Sequence, residues 1–271
     1  MPECYNEAIG RKKIYSDRAH YLNKALKWPL DKKIEYALEL IRKALNNSKY
    51  PIVSSSWGKD SIVTLHLVHQ IDDTVPVLYN DTGVDFPETK KYMKEMTELW
   101  NLKVIIAKSE KWTFWKIVEK YGYPETVRGT KKSKYREPMC CKLLKTEPTK
   151  KALKQYNIDT NFVGIRAEES QTRRSAYVLF GDYYYSKTWN MYKALPIMFF
   201  TEQDIWDYMD NYNIPPHPAY KKYNIPRVGC IPCTGHIGWE EQLAKLFPEL
   251  YRKIQHDMGQ YLIDDYGGDK E

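Results

Sequence analysis

The sequence has 271 residues, enough for one large domain or two modest ones, and its apolar fraction of 42% supports an ordinary buried core. No run approaches the ~18 consecutive apolar residues of a membrane span, and the first residues lack an apolar signal region, so we expect a cytoplasmic protein with no membrane partner. The net charge of +7 is compatible with a nucleotide or nucleic-acid partner, although a globular surface also reaches that value without one.

The predicted secondary structure begins with a helix and continues as alternating strands and helices. Residues 32–45 carry apolar side chains at helical spacing after Asp31, which is a candidate cap. The later elements are strands at 74–79, 102–107 and 161–165 and helices at 88–100 and 113–121. This order predicts an α/β fold, with a doubly wound, mostly parallel sheet and helices on both faces.

A short polar loop follows the first predicted strand, which ends at Val53. Residues 54–61 read S-S-S-W-G-K-D-S and open an amphipathic helix. A small-residue turn at a helix N-terminus directs backbone N–H groups at an anion, so the loop is a candidate phosphate site. It is neither a Walker A loop nor a dinucleotide fingerprint, because both need a different glycine spacing. The plainer alternative is a serine-rich loop that only caps the helix.

Two further polar loops follow predicted strands. Residues 80–89 contain Gly83, which permits a sharp turn, and a proline suited to the first turn of a helix. Residues 164–174 carry Arg166 and other arginines, whose planar guanidinium groups match phosphate or sulfate; in the plainer alternative Arg166 pairs with Glu169. Ligands of such sheets bind at the carboxyl ends of the strands, so we expect the three loops to gather there.

Four of the five cysteines form two tight pairs, which favours metal or redox ligands over disulfides in a reducing compartment. Adjacent sulfurs reach different irons of a cubane more readily than they span one zinc ion, so an iron-sulfur cluster is favoured over zinc or free thiols. His236 is an alternative zinc ligand, and the basic run 131–136 would place cations near the first pair or form a solvated loop. The pairs are Cys140 with Cys141 and Cys230 with Cys233.

The last predicted element is an amphipathic helix over residues 201–208 with Thr201 at its cap. His217 stands between prolines in a rigid turn, and we interpret it as structural rather than catalytic.

Several of these segments match the motifs of one family. Residues 56–61 resemble the PP-loop, S-G-G-K-D-S, of the adenine nucleotide alpha-hydrolase superfamily, with Trp57 in place of the first glycine. Residues 80–89 and 164–174 resemble the D-T-G-x-x-F-P-E-T and G-x-R-x-x-E-S-x-x-R segments of the phosphoadenosine phosphosulfate reductase family. Trp57 indicates either a turn that needs no positive φ or a loop reshaped around an indole.

The resemblance implies a PP-loop type fold in three parts, namely an N-terminal helical segment (1–48), a nucleotide-binding domain (49–200) and a C-terminal helical part that completes a metal site (201–271). It implies a [4Fe-4S] cluster on the four paired cysteines, with zinc as the alternative. It also implies that an adenine nucleotide binds at Ser54, Ser56, Gly58, Lys59, Asp60, Ser61, Asp81, Thr82, Gly83, Arg166, Glu169 and Arg173.

The activity that we favour from the sequence is ATP-dependent sulfur transfer. An acceptor oxygen would attack the α-phosphate, pyrophosphate would leave, and the activated acceptor would receive sulfur with help from the cluster. Lys59 and Arg166 would stabilise charge on the phosphates, and Asp60 or Asp81 would hold Mg²⁺. Transfer RNA or DNA is a candidate acceptor, and a sulfur donor is an expected partner.

Two alternatives stay open. A sulfonucleotide reductase of this family attacks the sulfonate with a cysteine in a C-terminal segment, but no cysteine follows Cys233, so Cys4 or a thiol reductant protein would have to supply the thiol. The other alternative is a noncatalytic module that binds a nucleotide and a cluster. The sequence leaves the oligomeric state open, and a homo-oligomer is one option.

Overall fold

The computed structural model describes residues 2–124, 138–235 and 238–266, with side chains for those between 13 and 258. The basic run 131–136 and His236 lie outside the described residues, and Cys4 lies in a helix whose first side chains are not described. The elements in the first half are α1 (Pro2–Ala25), α2 (Leu30–Asn46), β1 (Pro51–Ser54), α3 (Lys59–His69), β2 (Val77–Asp81), α4 (Pro87–Leu99), β3 (Val104–Lys108) and α5 (Phe114–Tyr121).

The second half begins with α6 (Met139–Cys141), which continues as a π-helical turn (Lys142–Thr146) and then as α7 (Glu147–Gln155). The remaining elements are β4 (Thr160–Val163), a 3₁₀ turn (Ala167–Glu169), α8 (Gln171–Phe180), β5 (Tyr183–Ser186), β6 (Met191–Ala194), α9 (Glu202–Asn211), α10 (Ala219–Tyr223), α11 (Trp239–Leu246) and α12 (Pro248–Tyr266). No described helix has a stretch that is both long and apolar enough to span a bilayer.

The six described strands form one sheet in the order β3-β2-β1-β4-β6-β5. Strand β1 pairs in parallel with β2 and β4, β4 pairs in parallel with β6, and β5 pairs with β6 in the antiparallel direction. This confirms the predicted mostly parallel α/β fold. The strand order reverses between β1 and β4, and such a reversal opens a crevice at the carboxyl ends of the two strands.

The chain divides into two compact units, each built from three stretches. Unit 1 comprises Met1–Tyr79, Lys90–Ile105 and Leu153–Pro218, and unit 2 comprises Asn80–Thr89, Ile106–Ala152 and Ala219–Glu271. The core of unit 1 packs α2 and α3 around Val53 of β1 and Phe162 of β4. A separate core in unit 2 includes Phe114, Leu143 and Trp239, with Cys140 at its edge.

Three predicted boundaries move for local reasons. Helix α2 begins at Leu30 with Pro29 in the N-cap position, so the prediction of Asp31 as the cap is wrong and its carboxylate lies in the first turn. Strand β2 begins at Val77 rather than at residue 74, because Pro76 has no N–H to donate to the ladder. Strand β4 ends at Val163, since the Ile165 N–H turns back to the Val163 carbonyl at 3.0 Å.

Candidate functional site

The loop between β1 and α3 is fastened from within by two buried serine hydroxyls. Ser61 Oγ accepts from the Ser56 N–H at 3.2 Å and donates to the Gly58 carbonyl at 2.9 Å. Ser55 Oγ accepts from the Trp57 N–H at 3.1 Å and lies 3.2 Å from Ser61 Oγ. Ser55 was not among the predicted nucleotide-binding residues, although a serine hydroxyl that accepts the backbone N–H two residues later is a common turn former.

The helix that follows presents its first turn to the loop. Gly58 is the N-cap of α3 and supplies no side-chain acceptor, and Lys59, Asp60 and Ser61 form the first turn. Ser54 ends β1, and the side chain of Ser56 is exposed. An uncapped helix N-terminus beside a strand end suits a phosphate group, because backbone N–H groups and the helix dipole both favour an anion there.

Trp57 shapes this loop. Its φ is +63°, a left-handed conformation that a bulky side chain rarely adopts, so the interpretation that the turn needs no positive φ is wrong. The indole is fully buried and meets the Tyr79 ring edge-on at 6.2 Å between centroids. Burial of the indole therefore holds the backbone in a conformation that glycine would adopt without strain.

The residue after β4 brings a second loop to the same crevice of unit 1. A Cβ on Gly164 would lie 2.8 Å from the Asp60 carbonyl oxygen and 2.9 Å from Thr64 Oγ1, so only glycine lets the chain pass α3 at this distance. Arg166 follows two residues later, immediately before the 3₁₀ turn, and its side chain is buried. The sheet order and this close approach bring Lys59, Asp60 and Arg166 together, as the sequence predicts.

These residues belong to a cluster of five charged groups, which we call the charged cluster: Lys59, Asp60, Arg166, Glu168 and Glu202. Arg166 Nε donates to Asp60, and Arg166 Nη1 lies 2.8 Å from Glu168 Oε2. Lys59 Nζ lies 3.8 Å from Asp60 Oδ2 and 3.4 Å from Glu202 Oε1. Neither glutamate was predicted as a site residue. Glu168 lies only two residues from Arg166, whereas nothing in the local sequence of Glu202 marks it as a partner of the distant Lys59.

The other two predicted residues of the arginine loop pair with each other. Arg173 forms an ion pair with Glu169, and the Glu169 carboxylate accepts the Arg166 backbone N–H at 3.0 Å. The plainer alternative, in which the Arg166 side chain pairs with Glu169, is therefore wrong: the Arg166 side chain pairs with Asp60, Glu168 and Glu202. Glu169 and Arg173 instead hold the loop that carries Arg166, and their contact with a nucleotide stays a prediction.

The loop after β2 belongs to unit 2. Asp81 accepts the Gly83 N–H at 2.9 Å, and Gly83 has a φ of +76°, which is the sharp turn that the sequence predicts. Lys108 Nζ also lies 3.0 Å from Asp81 Oδ2. These contacts give the Asp81 carboxylate a structural role in the turn, and its role as a Mg²⁺ ligand stays a prediction.

The four paired cysteines lie in unit 2, where they are partly buried and form no disulfide. Cys140 and Cys141 lie on α6, and Cys230 pairs with Asp85 through an isolated β-bridge. Cys230 Sγ lies 3.5 Å from Thr82 Oγ1, with the thiol as donor. The Cys141 hydrogen bond, burial, and the thiols of Cys230 and Cys233 together raise the pKa of Cys140, so the two pairs are near enough to interact electrostatically.

Lys145 is a cation beside these thiols, and it was not predicted as a site residue. It lies on the π-helical turn that follows Cys141, a type of irregular turn that is frequent at functional sites. Burial lowers the pKa of Lys145, but the neighbouring Cys230, Cys141 and Asp85 outweigh that effect and raise it. Burial also raises the pKa of the Cys230 thiol, and Lys145 opposes this. The sequence signal that could have found it is the spacing of Lys145 four residues after Cys141, which places the two on the same face of a helix.

The chemistry of this donor set fits a soft metal, since thiolates are soft ligands and the Cys140 thiol interacts electrostatically with the other three. Among the side chains that the structure describes, however, no group of three or more His, Cys, Asp or Glu is arranged to hold a metal ion. The iron-sulfur cluster therefore stays a prediction, carried by the donor set.

Comparison with known proteins gives a consistent result. Residues 50–236 match the family described as the phosphoadenosine phosphosulfate reductase domain. A phosphoadenosine 5'-phosphosulfate reductase of Vibrio parahaemolyticus is 32% identical over 69% of this chain and 68% of its own length. An uncharacterized protein of Methanocaldococcus jannaschii is 31% identical over 83% of this chain, which spans 45% of that relative.

The fold has counterparts among solved structures. The phosphoadenylyl-sulfate (PAPS) reductase of Candida auris superposes with a TM-score of 0.56 over 78% of this chain and 93% of its own, at 16% identity. At that identity the likeness concerns the fold alone.

Proposed function

Since the chain belongs to the phosphoadenosine phosphosulfate reductase domain family, we propose that it is an enzyme of sulfonucleotide reduction that binds its adenine nucleotide at the charged cluster of unit 1. The observation that carries the proposal is the placement of two buried cations, Lys59 and Arg166, beside the N-terminus of α3. Buried fixed cations are well suited to phosphate and sulfate groups, because little reorganisation is needed when the ligand binds.

Each part of the loop has a role in this proposal. The first-turn N–H groups of α3 would bind the phosphate, and Ser55 and Ser61 hold the loop in place for them. Lys59 and Arg166 would stabilise negative charge on the bridging oxygen of the phosphate as its bond to sulfur breaks. Both cations act as positioned charges, so neither has to transfer a proton.

The chemistry needs two thiols. A thiolate attacks the sulfur of the sulfonate, a bond forms between the two sulfurs, and the bond from sulfur to the phosphate oxygen breaks with release of the nucleoside phosphate. A second thiolate then attacks the first thiol's sulfur, forms a disulfide and releases sulfite. The two electrons come from the two thiols. Either Cys4 would supply the first thiol and a thiol reductant protein the second, or the reductant protein would supply both.

Cys140, Cys141, Cys230 and Cys233 would hold the [4Fe-4S] cluster, or zinc in the alternative, with Lys145 beside them. Such a cluster supplies local charge and redox capacity to its surroundings. Lys145 would then offset the negative charge of the sulfur ligands.

A second candidate is the ATP-dependent sulfur transfer expected from the sequence, and the cysteine inventory favours it. Within this sequence, Cys4 is the one cysteine outside the two pairs, and attack on the α-phosphate of ATP needs no thiol. Asp60 or Asp81 would hold Mg²⁺, and transfer RNA or DNA would be the acceptor. The noncatalytic module is the remaining alternative.

One anaerobic experiment separates the three. The purified protein is incubated with dithiothreitol and, in parallel, with adenosine phosphosulfate, phosphoadenosine phosphosulfate, or ATP with Mg²⁺ and mixed nucleic acid. We expect sulfite together with the nucleoside phosphate, and a loss of at least 100-fold in the Lys59→Ala variant. Lys91→Ala, which removes an exposed lysine of the same unit, is the matched control.

Formation of AMP and pyrophosphate from ATP without sulfite would replace reduction with the ATP-dependent reaction. If a protein with its full metal content turns over none of these nucleotides, both reactions are ruled out and the noncatalytic module is the supported alternative.

A further inference from the structure

Glu202 joins the two buried cations of the charged cluster through a single carboxylate. Its Oε1 lies 3.4 Å from Lys59 Nζ, and its Oε2 lies 3.7 Å from Arg166 Nη2. Lys59 and Arg166 are 4% and 3% exposed, whereas the Glu202 side chain is 51% exposed. One oxygen faces each cation, which is the arrangement that two oxygens of a phosphate or sulfate group would adopt between them.

The charged cluster already has more carboxylates than cations, so an added anion would have to replace one of the carboxylates. Two cations and three carboxylates give the five groups a formal charge of −1. A phosphate group that entered beside all three carboxylates would meet like charges at short range in a buried setting, which is costly. One carboxylate must therefore move away when a nucleotide binds.

Glu202 is the carboxylate whose contacts are weakest. Glu168 is held by Arg166 at 2.8 Å and by the Glu202 backbone N–H at 2.6 Å. Asp60 is on the first turn of α3 and accepts directly from Arg166 Nε. Both contacts of the Glu202 carboxylate are longer than a hydrogen bond, and its half-exposed side chain can rotate into solvent while its backbone still donates to Glu168.

From this geometry we infer that Glu202 is a specificity-determining residue whose carboxylate occupies the subsite of a nucleotide oxyanion and is displaced when the nucleotide binds. The inference rests on the proposed function of the charged cluster. Glu202 keeps the two cations paired between turnovers and weakens the binding of small anions that cannot displace it. Its removal should increase anion affinity, which is a gain that damage to the fold would not produce.

The experiment measures the affinity of inorganic pyrophosphate and of ATP for the whole protein by titration calorimetry, at fixed ionic strength. We expect Glu202→Gln, which keeps the size of the side chain, to bind both probes about tenfold more tightly than the unmodified protein. Glu202→Asp, whose shorter side chain cannot face both cations, should give a smaller gain. Asp31→Asn removes an acidic residue from the first turn of another helix in the same unit, and it should change nothing.

Lys59→Ala provides the separate check on the proposed function. If Glu202→Gln binds pyrophosphate with the same or lower affinity while Lys59→Ala loses binding, the inference about Glu202 is wrong and the nucleotide site stands. If Lys59→Ala binds both probes like the unmodified protein, the nucleotide site itself is misplaced. An equal gain in Asp31→Asn would mean that general charge, and not this subsite, sets the affinity.

Discussion

The charged cluster of unit 1 and the thiols of unit 2 bury polar groups in different ways. In unit 1, two cations and three carboxylates contact one another, so each buried charge has an opposite charge beside it. In unit 2, the neighbouring thiols and burial raise the pKa of Cys140, and burial raises the pKa of Cys230 against the opposing charge of Lys145. In the first site, therefore, the buried charges are paired within the folded protein itself. The second site contains several thiols, which a bound metal ion or cluster would stabilise in their deprotonated form.

The largest expected effect tests unit 2. Cys230→Ser should lower the iron and acid-labile sulfide of the anaerobically purified protein at least tenfold, because oxygen is a poor substitute for a thiolate ligand. Cys4→Ser is the matched control and should keep the full content. Zinc in place of iron would identify the alternative metal, and a full metal complement in Cys230→Ser would show that Cys230 is not a ligand.

The next effect tests unit 1. Arg166→Met keeps much of the side-chain volume but leaves Asp60, Glu168 and Glu202 without their shared cation, and we expect a loss of about 3 kcal/mol in the free energy of unfolding. Urea titration measures it. Arg174→Met removes an arginine from the neighbouring helix α8, where it bonds to Asn23, and should cost less than ~0.5 kcal/mol. Equal losses in the two variants would contradict the central role of Arg166.

A smaller loss of stability is expected from a methyl group at Gly164, where the chain passes close to α3 in unit 1. Gly164→Ala should destabilise by about 2 kcal/mol and weaken ATP binding, since the added Cβ would push α3 away from β4. Gly229→Ala is the control, because a Cβ there meets nothing within 4 Å. Unchanged binding and stability in Gly164→Ala would show that α3 can shift freely.

The smallest effect shows how little the exposed ion pair of unit 2 contributes. Lys108 is 57% exposed, so Lys108→Ala should cost less than ~0.5 kcal/mol, whereas Asp81→Ala removes the acceptor of the Gly83 N–H and should cost about 1–2 kcal/mol. Thermal unfolding measures both. A larger loss for Lys108→Ala than for Asp81→Ala would mean that charge, not turn geometry, holds this loop.

The fold and the loops were predictable where the determinants are local. Apolar periodicity located β1 to β4, α2 to α5 and α9 to within a few residues, whereas β5, α7 and α8 were not predicted. The Thr201 cap is confirmed by its bond from the Asp204 N–H at 3.1 Å. The Gly83 turn is confirmed as well. These features depend on neighbours within four residues, which a sequence shows directly.

The features that escaped prediction depend on contacts between distant residues. Glu202 lies 143 positions after Lys59 along the chain, and the two meet because α9, which Glu202 begins, packs against α3, whose first residue is Lys59. The local propensity of tryptophan disfavours a positive φ, but Trp57 adopts one because its indole is buried against Tyr79. The interleaving of the two units has no linear signature, since each unit takes three separate stretches of the chain.

The construction of unit 2 from separate stretches has a consequence for biosynthesis. Cys140 and Cys141 are translated about 90 residues before Cys230, which at roughly 5–20 residues per second is a delay of about 5–20 s. During that interval the first thiol pair has left the ribosome or is leaving it without the second pair, and it is open to stray metals and oxidants. The yield of the intact cysteine site therefore depends on the rate of translation relative to the rates at which the first two thiols react.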